Sequence, residues 1–303
     1  MYLEFFRLKE YPFSTECDES YFFESAAHAE AMANMVYCIE QRKGMVMITG
    51  EIGAGKTLLA RMVVGRLSKM IRGAMVTHPC HSARELLRAT AECLDVAVKP
   101  EDDTHTLVKK LEQRLLRVSR RNRTALLILD EVQSMPDEAL EEVRMMWNFE
   151  DAGRRLMQFV LVGQPELRDR LRLKPWESLQ QRIALAYHLG ALNAADTVRY
   201  ILHRRQVAAM PGCPLRFTAK ALEAIYRATA GVPRRINVVC DNTLLIAYVA
   251  GQTKITSAMV DKAVREMTCW DHPSAAAIGD DGGPRRRVTP RANLRVRREA
   301  AGE

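Results

Sequence analysis

The sequence predicts an α/β protein: a five-stranded parallel sheet sandwiched by helices, followed by a small all-helical domain and a disordered basic tail. Three observations lead there. Short apolar runs without clean alternation recur at long intervals, as "MVMIT" (45–49), "AMVTH" (74–78), "ALLILD" (125–130), "FVLVG" (159–163) and "ALAYHLG" (184–190). Strands of that kind are covered on both faces. Segments with helical spacing lie between them, such as Leu107 to Val118 and Glu138 to Met146, which calls for crossover helices. After about Leu192 the strand-like runs stop, and four helical patterns follow, broken by Pro, Gly and polar caps. The expected division is 1–191 as core, 192–268 as helical lid and 269–303 as tail.

Taken in order, the opening "YPFS" and "YFFES" punctuate rather than form regular structure. From about His28 to Gln41 the spacing is helical, with Met32, Met35, Val36 and Ile39 on one face expected to pack in the core. The lid patterns are "AADTVRYILHRRQVAAM", "TAKALEAIYRATAG", "PRRINVVCDNTLLIAYVAG" and "TSAMVDKAVREMT". From Cys269 onward no apolar periodicity remains, and disorder is expected.

Composition bounds the function. The chain has 303 residues, is 48% hydrophobic and 27% charged, and no apolar run approaches the roughly 20 residues that span a bilayer. The N-terminus carries acidic residues and lacks a secretory apolar region. Seven cysteines are scattered without a CxxC pair, which fits reduced thiols. "THPCHS" groups His78, Cys80 and His81 in no zinc spacing. A cytosolic protein is expected, with docking on a membrane left open. Net charge is +8, and between Pro284 and Glu303 seven arginines stand against two glutamates, so the basic charge belongs mainly to the tail.

The chemistry starts at "GEIGAGKT", which satisfies G-x-x-x-x-G-K-[ST] through Gly50, Gly55, Lys56 and Thr57. Glycines let backbone N–H groups turn toward phosphate oxygens, and the helix that follows aims its positive end at them. The expected phosphate cradle is Gly50, Glu51, Ile52, Gly53, Ala54, Gly55, Lys56, Thr57 and Leu58. Lys56 reaches the β- and γ-phosphates, and the Thr57 hydroxyl ligates Mg²⁺. "ALLILDE" supplies the matching acids at a strand end: Asp130 for the magnesium and Glu131 as the general base on water. A pure nucleotide sensor has no need of that base, so hydrolysis is the reading. No N/T-K-x-D follows for guanine and no LSGGQ-like signature for a transporter. Gln164, after the next strand, suits a group that orients the lytic water; a buried structural glutamine is its alternative.

Loop, Asp-Glu strand, polar sensor and helical lid together resemble an AAA+ ATPase. The resemblance implies an arginine that reaches a neighbouring subunit's γ-phosphate, matched by Arg182 in "SLQQRIALAYHL". It also implies a lid arginine on the nucleotide, matched by Arg234 in "GVPRRIN" with Arg235 as its nearest competitor. ATP and Mg²⁺ are then the cofactors, and a homo-oligomer the working form. Residues 1 to 268, above all "YPF" and "GQPEL", are similar to the general secretion pathway protein A (ExeA-type) ATPases. That family implies a partner in a secretion, pilus or polysaccharide-export envelope complex. The pattern departs from the full-length family in having no transmembrane helix and no peptidoglycan-binding domain after the ATPase region. The core is also similar to ATPases that regulate transposition on DNA, so an ATP-dependent switch on nucleic acid stays open. The tail "PRRRVTPRANLRVRRE" could neutralise DNA phosphates or touch anionic lipid. Tyr11, Pro12 and Phe13 are candidates for the base pocket, with core packing as the alternative.

Overall fold

The computed structural model describes residues 1–16, 18–67 and 70–268. The expected disordered tail, 269–303, lies outside the described residues. Five parallel strands form the central sheet: β1 (Met45–Gly50), β2 (Ile71–Val76), β3 (Thr124–Leu129), β4 (Met157–Gly163) and β5 (Ile183–Leu189). Their spatial order is β2-β3-β4-β1-β5. Every residue of β1, β3 and β4 is buried, whereas β2 and β5, at the edges, are only partly so. Central strands covered on both faces favour apolar side chains at nearly every position, which is why their runs show no alternation, with Thr49, Thr124 and Gln158 as buried polar exceptions. The second strand begins at Ile71 rather than at Ala74. Arg72 and Gly73 hide its start, because an edge strand tolerates a charge where a central one does not.

Odd and even positions of the strands feed two separate cores. Val46, Ile48, Leu126, Ile128, Val160 and Val162 face α1 (Ala26–Glu40) and α2 (Lys56–Leu67). Met32, Met35 and Ile39 of α1 are buried there, as their spacing predicts. Met45, Met47, Leu127, Leu129, Phe159 and Leu161 face the opposite core. Its helices are α3 (Ala83–Cys93), α4 (Thr104–Arg120), α5 (Asp137–Met146) and α6 (Pro165–Leu171). Helix α3 escaped the sequence reading, although Ser82 caps it by accepting from the Glu85 amide at 3.1 Å. A hairpin at Glu150–Asp151 and Arg154–Arg155 also went unread; it turns on Ala152 and Gly153, both at positive φ.

After Leu189 come α7 (Ala194–Ala208), α8 (Ala219–Thr229), α9 (Pro233–Val249) and α10 (Ser257–Thr268). The region is not purely helical, since Arg216–Phe217 and Lys254–Ile255 pair as two short parallel strands. Residues Met1–Arg265 form one unit. The N-terminal segment packs on the late helices: the Tyr2 hydroxyl donates to Asp241, and the Phe5 ring meets Tyr248 edge-on at 5.5 Å. Phe13 meets Phe217 at 6.2 Å and is almost fully buried. Among the described residues no helix is long and apolar enough to cross a membrane.

Gly231 joins α8 to α9 at φ +75°, and its carbonyl accepts from the Leu192 amide at 2.9 Å. A Cβ there would sit 1.9 Å from the Leu192 carbonyl oxygen. Gly231→Ala is expected to cost roughly 2–4 kcal/mol, from the left-handed backbone and the clash together. Gly65→Ala, in α2 with nothing near its Cβ, is expected to stabilise by about 1 kcal/mol. Urea titrations of the two variants check the pair, and equal effects would overturn the account.

Candidate nucleotide site

The loop Glu51–Gly55 leaves the end of β1 and enters α2 at Lys56. Gly53 and Gly55 take φ of +82° and +95°. At Gly53 the need for glycine is steric as well, because a Cβ would lie 2.3 Å from the Cβ of Arg234. The Arg234 amide also donates to the Gly53 carbonyl at 3.2 Å. Pro233 occupies the first turn of α9, where its missing N–H costs nothing. The beginning of α9 therefore rests directly on the phosphate loop.

Lys56 is 7% exposed. Its ammonium donates to the carbonyls of Gly50 at 2.7 Å and Glu51 at 2.9 Å. Burial pushes its pKa down, and the carboxylates of Glu131, Asp130, Glu51 and Glu166 oppose that shift. The Thr57 hydroxyl donates to Asp130 Oδ2 at 2.6 Å, tying the first turn of α2 to the tip of β3. Asp130 Oδ1 accepts from the Glu131 amide at 2.9 Å. Glu131 itself sits at φ +53°, a conformation a non-glycine residue rarely adopts.

The Glu131 carboxylate is held by two amides. Gln164 Nε2 donates to Oε2 at 3.3 Å, and Gln133 Nε2 donates to the same oxygen. Gln133 Oε1 in turn accepts from the backbone N–H of Gln164 at 3.0 Å. Gln133 was missed by the sequence reading, because its bond to the Gln164 amide becomes visible only once β4 lies beside β3.

Lys56, Thr57, Glu131 and Arg234 line one cavity of about 350 Å³, together with Ile52, Gly53, Ala54, Gly55 and Leu58. Arg234 lines this cavity, whereas Arg235 does not. Tyr11 and Phe13 do not: Tyr11 is half exposed with its ring edge-on to Tyr2, and Phe13 is core. The aromatic wall comes instead from Tyr21, Phe22 and Phe23. Pro12 contributes only its carbonyl, which accepts from Arg204 Nε at 2.5 Å. Buried Arg204 also donates to the Tyr200 hydroxyl and to the Ser14 carbonyl, both at 3.0 Å, and its guanidinium lies 4.6 Å over the Tyr21 ring. The Tyr200 hydroxyl donates to Asn237 Oδ1 at 2.8 Å. This network joins the N-terminal segment to α7 and α9 beneath the cavity.

Arg182 is not brought to this site. It precedes β5 at the opposite end of the sheet, where its carbonyl accepts from the Met45 amide at 2.9 Å. Its guanidinium donates to the Arg144 carbonyl at 2.8 Å, and burial, followed by the cations of Arg144 and Arg155, lowers its pKa. Among the described residues no three or more of His, Cys, Asp and Glu gather in a metal-holding group.

His28, buried on α1, lines the cavity beside the loop, and its Nδ1 lies 2.7 Å from Ser25 Oγ. Burial lowers its pKa below 6.5, against the opposing pull of Asp196, the Ala54 carbonyl and Glu24. With the folded pKa depressed, the unfolded chain takes up the proton first. The contribution of His28 to stability is therefore complete above about pH 6.5 and is lost as pH falls through the folded pKa. Wild type is expected to lose unfolding free energy more steeply over that window than His28→Gln in parallel urea titrations. Equal slopes would remove the assignment.

Comparison with known proteins places this geometry. A family model described as AAA domain matches residues 39–171. General secretion pathway protein A of Aeromonas hydrophila is 34% identical over 270 residues, covering 88% of this chain and 49% of that protein. The chain thus spans about half the length of that relative. Among solved structures, ORC2 of Aeropyrum pernix, in its ADPNP-ADP complexes, aligns with a TM-score of 0.68 at 19% identity. That alignment covers 90% of this chain and 74% of the other. Cdc6p of Pyrobaculum aerophilum aligns with a TM-score of 0.65 at 15% identity, over 82% of this chain and 71% of the other. At such identities the two structures support the fold alone. With the phosphate loop and the acidic strand end in place, the chain is similar to an AAA domain over residues 39–171 and to general secretion pathway protein A over 88% of its own length.

Proposed function

We propose that this chain binds ATP with Mg²⁺ and hydrolyses it to ADP and phosphate, as an oligomer that assists assembly of a secretion, pilus or polysaccharide-export envelope complex. The observation that carries the reading is the single cavity in which Lys56, Thr57, Glu131 and Arg234 meet, with Gln164 fixed on the Glu131 carboxylate. The residues fit the groups they would hold. A glycine loop at positive φ, running into a helix N-terminus with a buried ammonium beside it, suits a polyphosphate. A hydroxyl and a carboxylate 2.6 Å apart suit magnesium, which takes few protein ligands and keeps its waters. Magnesium, when bound, supplies charge neutralisation at the phosphate oxygens.

The remaining chemistry falls to side chains. Glu131 accepts the proton of the attacking water, and the amides of Gln164 and Gln133 hold its carboxylate in one orientation. Arg234 brings the lid, proposed as 192–268, onto the nucleotide held by the 1–191 core. Arg182 completes the site of a neighbouring protomer, which accounts for a cation placed at the far end of its own sheet. The secretion role rests on the relationship to General secretion pathway protein A, and the working place is the cytosol or the inner face of a membrane. A second reading, an ATP-dependent switch on DNA, rests on the seven arginines between Pro284 and Glu303. Strong stimulation of turnover by duplex DNA, lost on deleting 284–303, would favour it over the envelope role.

Glu131→Gln is expected to bind a fluorescent ATP analogue as wild type does, while turnover falls by about 10²–10⁴-fold. Unchanged turnover would sink the role of Glu131. Arg182→Ala is expected to lose about 10³–10⁵-fold in turnover. Mixing the two inactive variants should restore part of the activity, since one supplies Arg182 and the other an intact Glu131. No recovery in assemblies shown to exchange subunits would count against a shared site.

A further inference from the structure

A second cationic hollow lies at the other end of the sheet. It measures about 170 Å³ and is lined by Arg72, Arg114, Arg117, Arg121 and Arg123, with Asp95 as its one acid. The five arginines reach it from four separate segments: β2, the last turns of α4, the link after that helix, and the residue before β3. Strands of six residues separate this end from the phosphate loop by roughly 20 Å, so the two cationic sites are independent.

A favourable helix dipole accounts for part of the cluster. Arg117 and Arg120 occupy the last turn of α4, where cations offset the carbonyl end. That explanation does not reach the others. Arg72 is on the edge strand and pairs with Asp95. Arg114 donates through Nε to the Leu94 carbonyl at 2.7 Å and through Nη2 to Asp95 at 3.2 Å. Arg123 donates to the Ile71 carbonyl. Asp95 is 62% exposed and already serves two arginines, which leaves the cluster strongly cationic. Arg72 Nε is buried without a hydrogen-bond partner among the described residues. Like charges crowded around a concave space destabilise one another, and guanidinium forks match the tetrahedral oxygens of phosphate better than any other side chain.

We propose that this hollow is a second anion site that takes a phosphate-bearing group, either a phospholipid headgroup or free polyphosphate. Bound there, the ligand neutralises the cluster and hydrogen-bonds to the forks of Arg117 and Arg121, both exposed. A headgroup would fix the protein to a membrane by the sheet end that lies away from the nucleotide cavity.

The test is calorimetry of the full chain with inorganic pyrophosphate, in wild type, in Lys56→Ala and in Lys56→Ala/Arg117→Glu/Arg121→Glu. Lys56→Ala silences the phosphate loop, so the pyrophosphate it still binds reports the second site. Adding the two charge reversals is expected to weaken that binding by about tenfold or more, as the loss of charge-assisted hydrogen bonds requires. Unchanged melting temperature would verify that the reversals leave the fold intact. Flotation with phosphatidylglycerol vesicles separates the sources. Flotation lost in Arg117→Glu/Arg121→Glu identifies a headgroup, and pyrophosphate binding without flotation identifies a free phosphate. The proposal is overturned if Lys56→Ala neither binds pyrophosphate nor floats, or if the reversals leave both its pyrophosphate affinity and its flotation unchanged.

Discussion

One topological constraint governs the site: strand β4 is inserted between β1 and β3. Adjacent strands lie about 4.8 Å apart, so the phosphate loop at the end of β1 and the acids at the end of β3 are held about 10 Å from each other. Directly paired, the two ends would leave no room for a phosphate and a metal with its waters. With the insertion, the gap is bridged from the loop side by Thr57 reaching Asp130, and from the middle by Gln164 reaching Glu131. The parallel register of β1 with β4 and of β4 with β3 aligns all three ends on one side of the sheet. Interior packing makes that alignment rigid, because every residue of these strands is buried.

What was legible in the chain follows from how local each determinant is. Lys56, Thr57, Asp130 and Glu131 announce themselves because loop, helix start and strand end each need particular residues at fixed spacing. The central strands were read nearly to their ends, since burial on two faces leaves an unbroken apolar signature. Strand β2 was misplaced by three residues because an edge carries polar side chains. Arg234 was recognised through its neighbours Gly231 and Pro233, whose backbone roles constrain their identity.

The hidden residues share a different property. Gln133, Tyr200, Arg204 and Asn237 acquire meaning only from partners remote in sequence. Arg204 meets Pro12 across 192 positions, and neither residue carries a local pattern that points to the other. The aromatic wall shows the same limit. Two clusters, Tyr11–Phe13 and Tyr21–Phe23, look alike in sequence, and packing decides which faces the cavity: Phe23 meets Tyr200 of α7, whereas Phe13 meets Phe217. A buried cation hydrogen-bonded to neutral oxygens alone, as at Arg204, has no compositional signature.

The N-terminal segment has a consequence for the birth of the protein. Tyr2, Phe5, Pro12 and Phe13 each have a partner among residues 204–248. On a ribosome adding roughly 5–20 residues per second, the first residues to emerge wait on the order of 10–50 s before the helices that receive them exist. During that interval an aromatic-rich segment stays exposed while the sheet beside it assembles. The nucleotide cavity, lined by Thr15 and Tyr21 at one side and by Tyr200, Arg204 and Asn237 at the other, therefore closes only after Asn237 has emerged.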